Sequence, residues 1–242
     1  MQSRIVRGLV AAAAAPLVLL AGACGDSRST TAAPTKPVST ALTAKSGQEI
    51  LAAARDALAT AKSVRLKGVI ADKGQRITMD LRIGSQTAAG TMKVPVQQKG
   101  KPLSAQIKYV KGKLYIRSPQ MMRSLGGAQA AGLIGDRWFY SSKDTLAGPF
   151  EEFIDLKKFS GVFTAHGGNV LKGATKTING LPAIALTDSE GGVLYVATTG
   201  KPYPLRLAPG TASAEKLDLL EYDAPLAATA PKDAINIDNP KF

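Results

Sequence analysis

The sequence predicts an α+β domain built on one antiparallel β-sheet of about ten strands, strongly curved or closed, with helices covering its concave face. Three observations predict it. From Val64 to Tyr222, stretch after stretch alternates apolar and polar residues at period two, the pattern of strands with one buried and one wet face. The breaks between stretches are turn sequences: Asp72-Lys73-Gly74, Asn179-Gly180, Glu190-Gly191-Gly192 and Gly200-Lys201-Pro202. Helical patterns occur only before the first strand and as inserts in the middle, so the strands succeed one another as a meander, and so many cannot stay flat.

The amino terminus comes first in chain order. Arg4 and Arg7 precede an apolar run from Leu9 through Leu20, and small residues lead to Cys24, the only cysteine, as L-A-G-A-C. This is the pattern of a secretory signal peptide over residues 1–23, since a membrane-spanning helix needs about 20 apolar residues. It also resembles a bacterial lipobox, with Ala21 where leucine is usual. That resemblance implies a diacylglyceryl group on Cys24, cleavage just before it, and in some cases acylation of the new amino terminus. Two acyl chains hold a protein stably at a membrane where one does not. The expected location is the cell membrane, anchored by lipid on the extracytoplasmic face. The alternative is an ordinary signal peptide cut at Ala21-Gly22-Ala23, with Cys24 a stray thiol.

Residues 24–45, the cysteine and a Ser/Thr/Ala/Pro stretch, have the composition of a disordered tether, with a mean span of roughly 25 Å as a flexible coil. Residues 46–242 form the predicted domain. Ser46-Gly47-Gln48-Glu49 has capping-box spacing, and Ile50, Ala54, Ala57, Leu58 and Ala61 share one face, so a helix is expected from Ser46 to near Lys62. Its alanine-rich stripe suits close packing on a sheet. Val64, Leu66, Gly68 and Ile70 begin the period-two pattern, and Ile77, Met79, Leu81 and Ile83 continue it within Gln75 to Gly84. Leu103, Ala105, Ile107 and Tyr109 follow a turn at Gly100, and Gly112 turns into Leu114, Ile116 and Ser118.

Ser118-Pro119 reads as an N-cap with proline at the first helical position, opening a short helix with Met121, Met122 and Leu125 that Gly126-Gly127 interrupts. A further turn or two is expected over Ala128 to Ile134 before a strand at Asp136 to Tyr140. Pro149 opens another helix bearing Phe150, Phe153 and Ile154. The last third returns to meander over 174–178, 182–188, 193–198, 203–208 and 216–222.

From about Ser46 to Tyr222 this arrangement resembles the LolA/LolB-like lipoprotein superfamily and its actinobacterial LppX/LprG-type branch. The phrases that carry the resemblance are V-K-G-K-L-Y-I-R at 110–117 before a helical insert, D-R-W-F-Y at 136–140, I-N-G-L-P-A from 178, and G-V-L-Y-V-A-T-T-G-K-P-Y-P-L-R-L ending at 207. They are scaffold units joined by glycine turns. The resemblance implies a half-barrel whose concave face holds an apolar cavity for lipids or acylated molecules, and no shared catalytic residues. The expected function is therefore a membrane-anchored lipoprotein that binds or carries a hydrophobic ligand. The alternative is a non-catalytic cell-surface protein-binding or sensory module with a solid core.

The candidate cavity lining is Ile77, Met79, Leu81, Ile107, Tyr109, Leu114, Ile116, Met121, Met122, Leu125, Phe150, Phe153 and Ile154. Methionine and phenylalanine adapt to irregular apolar guests but serve equally as core. The segment from Pro119 to Gly135, broken by glycines, is expected to act as a movable lid whose Met121, Met122 and Leu125 meet the ligand.

The net charge is +13, and removing Arg4 and Arg7 with residues 1–23 leaves +11. The basic residues are scattered singly through alternating strands without stacking aromatics, which argues against nucleic acid as a partner. Attraction to anionic lipid head groups and a merely solvated face both fit. With one cysteine no internal disulfide forms, and His166, the only histidine, has no thiolate or acidic cluster beside it in sequence, so no metal or cofactor is expected. No G-x-S-x-G elbow, Walker loop or G-x-G-x-x-G occurs. The chain is not expected to be an enzyme.

Overall fold

Every strand of the computed structural model joins one sheet. The structure describes residues 40–72, 75–94, 102–141, 150–162, 169–209 and 215–239, which belong to one compact unit, Lys36–Phe242. Cys24, His166, Lys73-Gly74 and Gly100 lie outside the described residues. Chain order is α1 (Thr40–Thr43), α2 (Gly47–Ala59), β1 (Ser63–Asp72), β2 (Gln75–Gly84), β3 (Thr87–Val94), β4 (Leu103–Val110), β5 (Lys113–Arg117), α3 (Pro119–Ile134), β6 (Phe139–Tyr140), α4 (Glu151–Ile154), α5 (Leu156–Val162), β7 (Leu171–Ile178), β8 (Leu181–Thr187), β9 (Gly192–Ala197), β10 (Pro204–Pro209), β11 (Lys216–Leu220) and β12 (Ile235–Asn236).

The sheet order is β12-β6-β5-β4-β3-β2-β1-β11-β10-β9-β8-β7. Two antiparallel meanders, β1 to β6 and β7 to β11, are stitched together where β1 pairs β11, with Leu66 opposite Leu219. Among the described strands only β12 on β6 is parallel. The α+β, curved, unclosed sheet expected from the sequence is thus the observed architecture, with twelve strands rather than about ten. The two extra strands are β3 and β12. β3 is Thr-Ala-Ala-Gly-Thr-Met-Lys-Val, and its alanines and glycine give almost no apolar contrast to read as alternation.

Gly90 shows why β3 needs its glycine. It has φ +153, and a Cβ there would stand 2.2 Å from the Asp80 carbonyl oxygen. The hairpins around it can close only because that atom is missing.

α2 begins as the spacing predicts. The Ser46 hydroxyl accepts from the Glu49 amide at 3.3 Å, and the Ser46 amide donates to Glu49 Oε2 at 2.8 Å. The helix ends at Ala59, earlier than Lys62, because Thr60 takes over as C-cap. Its fully buried Ile50, Ala54 and Leu58 pack in one core with Leu66, Leu81, Ile83, Val196 and Leu219, so the helix covers the face of the sheet that those residues share. Burying a leucine or isoleucine this completely contributes about 2 kcal/mol. Ahead of α2, Thr40–Thr43 forms the single turn α1, and Leu42 packs against the core.

α3 also follows its sequence. Ser118 Oγ accepts from the Met121 amide at 3.1 Å, Pro119 follows, and Gly127 breaks the helix with φ 73 and ψ −175. The helix expected after Pro149 is instead two short ones, because Asp155 leaves the helical path and caps α5 through the Lys157 and Lys158 amides. Its other oxygen accepts from the Gln86 amide at 2.8 Å, tying α5 to the β2–β3 turn.

The outward face is polar. Arg65 holds Asp80 through two bonds, 2.7 and 2.9 Å, and reaches Glu221 at 2.7 Å; Arg82 also binds Glu221, and Arg206 meets Asp218 at 2.6 Å. The edge strand β7 has every residue from Leu171 to Thr177 exposed, and its register slips by a bulge between Lys172 and Thr175.

Candidate functional site

The helix-covered face of the second meander is not filled to its end. There β8 and β10 finish, β9 and β11 start and β1 nears its turn, beside the first turns of α2. An open cavity of about 340 Å³ results. Its walls are Leu51 of α2, Val69 and Ile70 of β1, Leu186 of β8, Val193 and Leu194 of β9, Leu207 of β10, Leu217 of β11, and Val170 just before β7. Gly47 sets the position of the Val170 wall, since a Cβ on it would lie 2.3 Å from the Val170 carbonyl oxygen. The first turn of α2 therefore rests directly on backbone.

Few polar groups reach the rim. Asp188 is spent on its own turn, its Oδ1 accepting from the amides of Glu190 at 2.9 Å and Gly192 at 2.7 Å. Glu215 lies 3.3 Å from the Arg76 guanidinium, and Lys216 is exposed. An apolar floor of this volume with a sparse polar rim suits a small or partial apolar guest, at the low end of ligand-pocket sizes. Among the described residues no group of three or more His, Cys, Asp or Glu side chains could hold a metal.

The sequence-predicted lining sits in the other half of the same apolar layer. Met79, Leu81, Ile107, Leu114, Ile116, Met122 and Ile154 are buried core, while Ile77, Tyr109, Met121, Phe150 and Phe153 are half-buried and packed against it. The structure thus gathers twelve of the thirteen into one cluster, and the Leu125 side chain is outside the description. None of the twelve is among the described residues that border the cavity. The residues that do were signalled in sequence only by the inward positions of the last strands, such as Leu194, Leu207 and Leu217, and by Leu51 one position after the helix stripe.

No protein-family model and no curated protein matches the chain. Among solved structures, LprF from Mycobacterium bovis aligns over 76% of this chain and 96% of its own, at 16% identity and a TM-score of 0.54. The chain has the fold of LprF. That is the fold implied by the resemblance to the LppX/LprG-type branch. An uncharacterized conserved protein from Thermus thermophilus aligns over 78% of this chain and 98% of its own at 11% identity, with a TM-score of 0.37. The MucA/MucB complex of Pseudomonas aeruginosa aligns over 75% and 58% at 14% identity, with a TM-score of 0.36. Neither score carries an argument. In the LprF fold described here, no helix of the described residues is long and apolar enough to cross a membrane.

Proposed function

We propose that this chain is a non-catalytic lipoprotein, anchored through Cys24 to the extracytoplasmic face of a membrane, that binds or carries a hydrophobic ligand such as a lipid or acylated glycolipid. The observation that carries the reading is the open apolar cavity beside α2, with nine aliphatic side chains for walls and only Asp188, Glu215 and Lys216 charged at its rim. An acyl chain entering there would lie against the same apolar layer that contains Met79, Leu81 and Ile116. Lifting α3 would let it extend inward among Met121, Met122 and their neighbours. Residues 1–23 serve as the signal peptide and the stretch before α1 as the tether.

Native mass spectrometry of protein taken from its own membranes should show extra mass that organic extraction removes. Leu51→Trp, which fills the cavity mouth, should abolish that mass while the fold survives. Repeated recovery of ligand-free protein, or ligand retained in full by Leu51→Trp, would sink the assignment of the cavity. The anchor has its own test: Cys24→Ala should abolish labelling by fatty acid analogues and move the protein to the soluble fraction. Unchanged partition would mean that something else holds it.

One observation favours a second reading. The predicted lining is packed at exposures of 0 to 4% over its seven innermost members, which suits a solid-cored protein-binding or sensory module. A partner that co-purifies and is lost on altering outward residues, with no bound lipid, would favour that role.

A further inference from the structure

The outward face of the sheet divides by charge. In the half built from β1, β2, β10 and β11, acids answer the bases: Asp80, Asp218 and Glu221 pair with Arg65, Arg82 and Arg206. In the half built from β3, β4, β5 and β6 the strands carry no acidic residue at all, while Lys93, Lys108, Lys113 and Arg117 are all present. Arg117 is neutralised from outside the strands by Asp136, but the three lysines form no ion pair among the described residues.

Register puts them on one surface. The core takes Met92, Ala105, Ile107, Leu114 and Ile116, so the alternate residues Lys93, Lys108 and Lys113 face the other way. Aromatic rings share that surface. Lys108 Nζ lies 5.1 Å from the Trp138 ring centre, Lys113 Nζ lies 5.3 Å from that of Tyr140, and the Tyr140 ring leans on Tyr115 at 5.3 Å. Trp138 and Tyr140 remain half-exposed. A lysine ammonium over a ring face is attracted by the ring quadrupole, so these lysines and rings form one amphipathic patch.

We propose that this face, Lys93, Lys108 and Lys113 with Trp138 and Tyr140, docks on an anionic lipid bilayer. Charge complementarity selects the occupant: basic residues close to a surface bearing anionic head groups are drawn to it, and tryptophan and tyrosine rings settle at head-group depth because one end is apolar and the other polar. The contact needs no acyl anchor and leaves the opposite, helix-covered face with its cavity unobstructed.

Trp138 is the only tryptophan in the chain, so its emission reports on this face alone. Full-length protein carrying Cys24→Ala, so that no acyl chain contributes, is mixed with vesicles of phosphatidylcholine, or of phosphatidylcholine with phosphatidylglycerol, each carrying brominated chains as quencher. Emission should be quenched on the anionic vesicles, much less on the neutral ones, and recover in high salt. Each lysine near the surface is worth about fivefold, so Lys108→Ala with Lys113→Ala should lower the ratio of docked to undocked protein about 25-fold. Lys93→Glu, which touches neither ring, should act in the same direction with the intrinsic Trp138 spectrum unchanged. Equal quenching on neutral vesicles, or lysine variants that bind as before, would overturn the proposal. So would a spectral response to soluble polyphosphate as large as that to vesicles, which would make the face a polyanion site.

Discussion

Asp155 does the work of three residues. Buried between α4 and α5, it caps the second helix with one oxygen and holds the Gln86 amide with the other. Asp155→Ala should therefore cost more than an ordinary cap, about 2 to 3 kcal/mol, because the Gln86 amide loses its partner as well. Denaturant titration checks it, and a loss within a few tenths of a kcal/mol would mean that water replaces the carboxylate at no cost. The ion pairs of the outward face set the acid response. Hydrogen bonding from Arg65 holds the Asp80 carboxyl below its ordinary value against a smaller opposing effect of burial, and Arg65 with Arg82 does the same for Glu221. A depressed carboxylate contributes fully above its unfolded value, near pH 4, and the contribution fades as pH falls through the lower folded one. Stability should thus decline below about pH 4, and Asp80→Asn should flatten that decline while lowering stability at neutral pH. An acid limb identical in the variant would place the sensitive groups elsewhere. The Ser46 and Glu49 cap was legible in sequence because both partners lie within one turn. Asp155 was not, since Gln86 is remote along the chain and only the fold brings it near.

At the scale of elements, α3 and the α2 terminus make opposite demands. Among its described side chains α3 buries only Met122, Ala131 and Ile134 deeply, and it leaves Leu133 49% exposed and is broken at Gly127. Elements with so little buried surface open first. Amides from Pro119 to Gly135 should exchange much faster than those of Gln75 to Gly84 and slow when lipid is added; equal, lipid-insensitive protection would make α3 a static plug. Gly47, by contrast, has no room. Gly47→Ala should drive the first turn of α2 off the Val170 backbone at a cost of about 2 kcal/mol and widen the cavity, seen as a lower denaturation midpoint with altered ligand capacity. An unchanged midpoint would mean that the segment before β7 yields freely. The glycine interruption of α3 was legible from Gly126-Gly127 alone. β3 was hidden by its composition, because Ala88 and Ala89 occupy inner and outer positions with the same side chain.

For the whole molecule, alternation announced a curved sheet but not its seam. The β1–β11 pairing joins residues more than a hundred positions apart, and nothing local to Leu66 or Leu219 names the other. Methionine and phenylalanine put the expected lining in the β2 to β5 half, whereas the open cavity is bounded by valines, leucines and an isoleucine that carry no distinctive signal in sequence. The unclosed sheet also has two rims, and each amide on them could template another chain. One rim ends in the two-residue β12, too short to recruit a neighbour. The other is β7, long and exposed from Leu171 to Thr177, guarded by its bulge and by Lys172 and Lys176. Lys172→Val with Lys176→Val should turn a clear concentrated solution into one that scatters light and binds thioflavin, and continued clarity would credit the bulge alone. Crowded together, copies of this chain should therefore touch edge to edge without knitting into a filament.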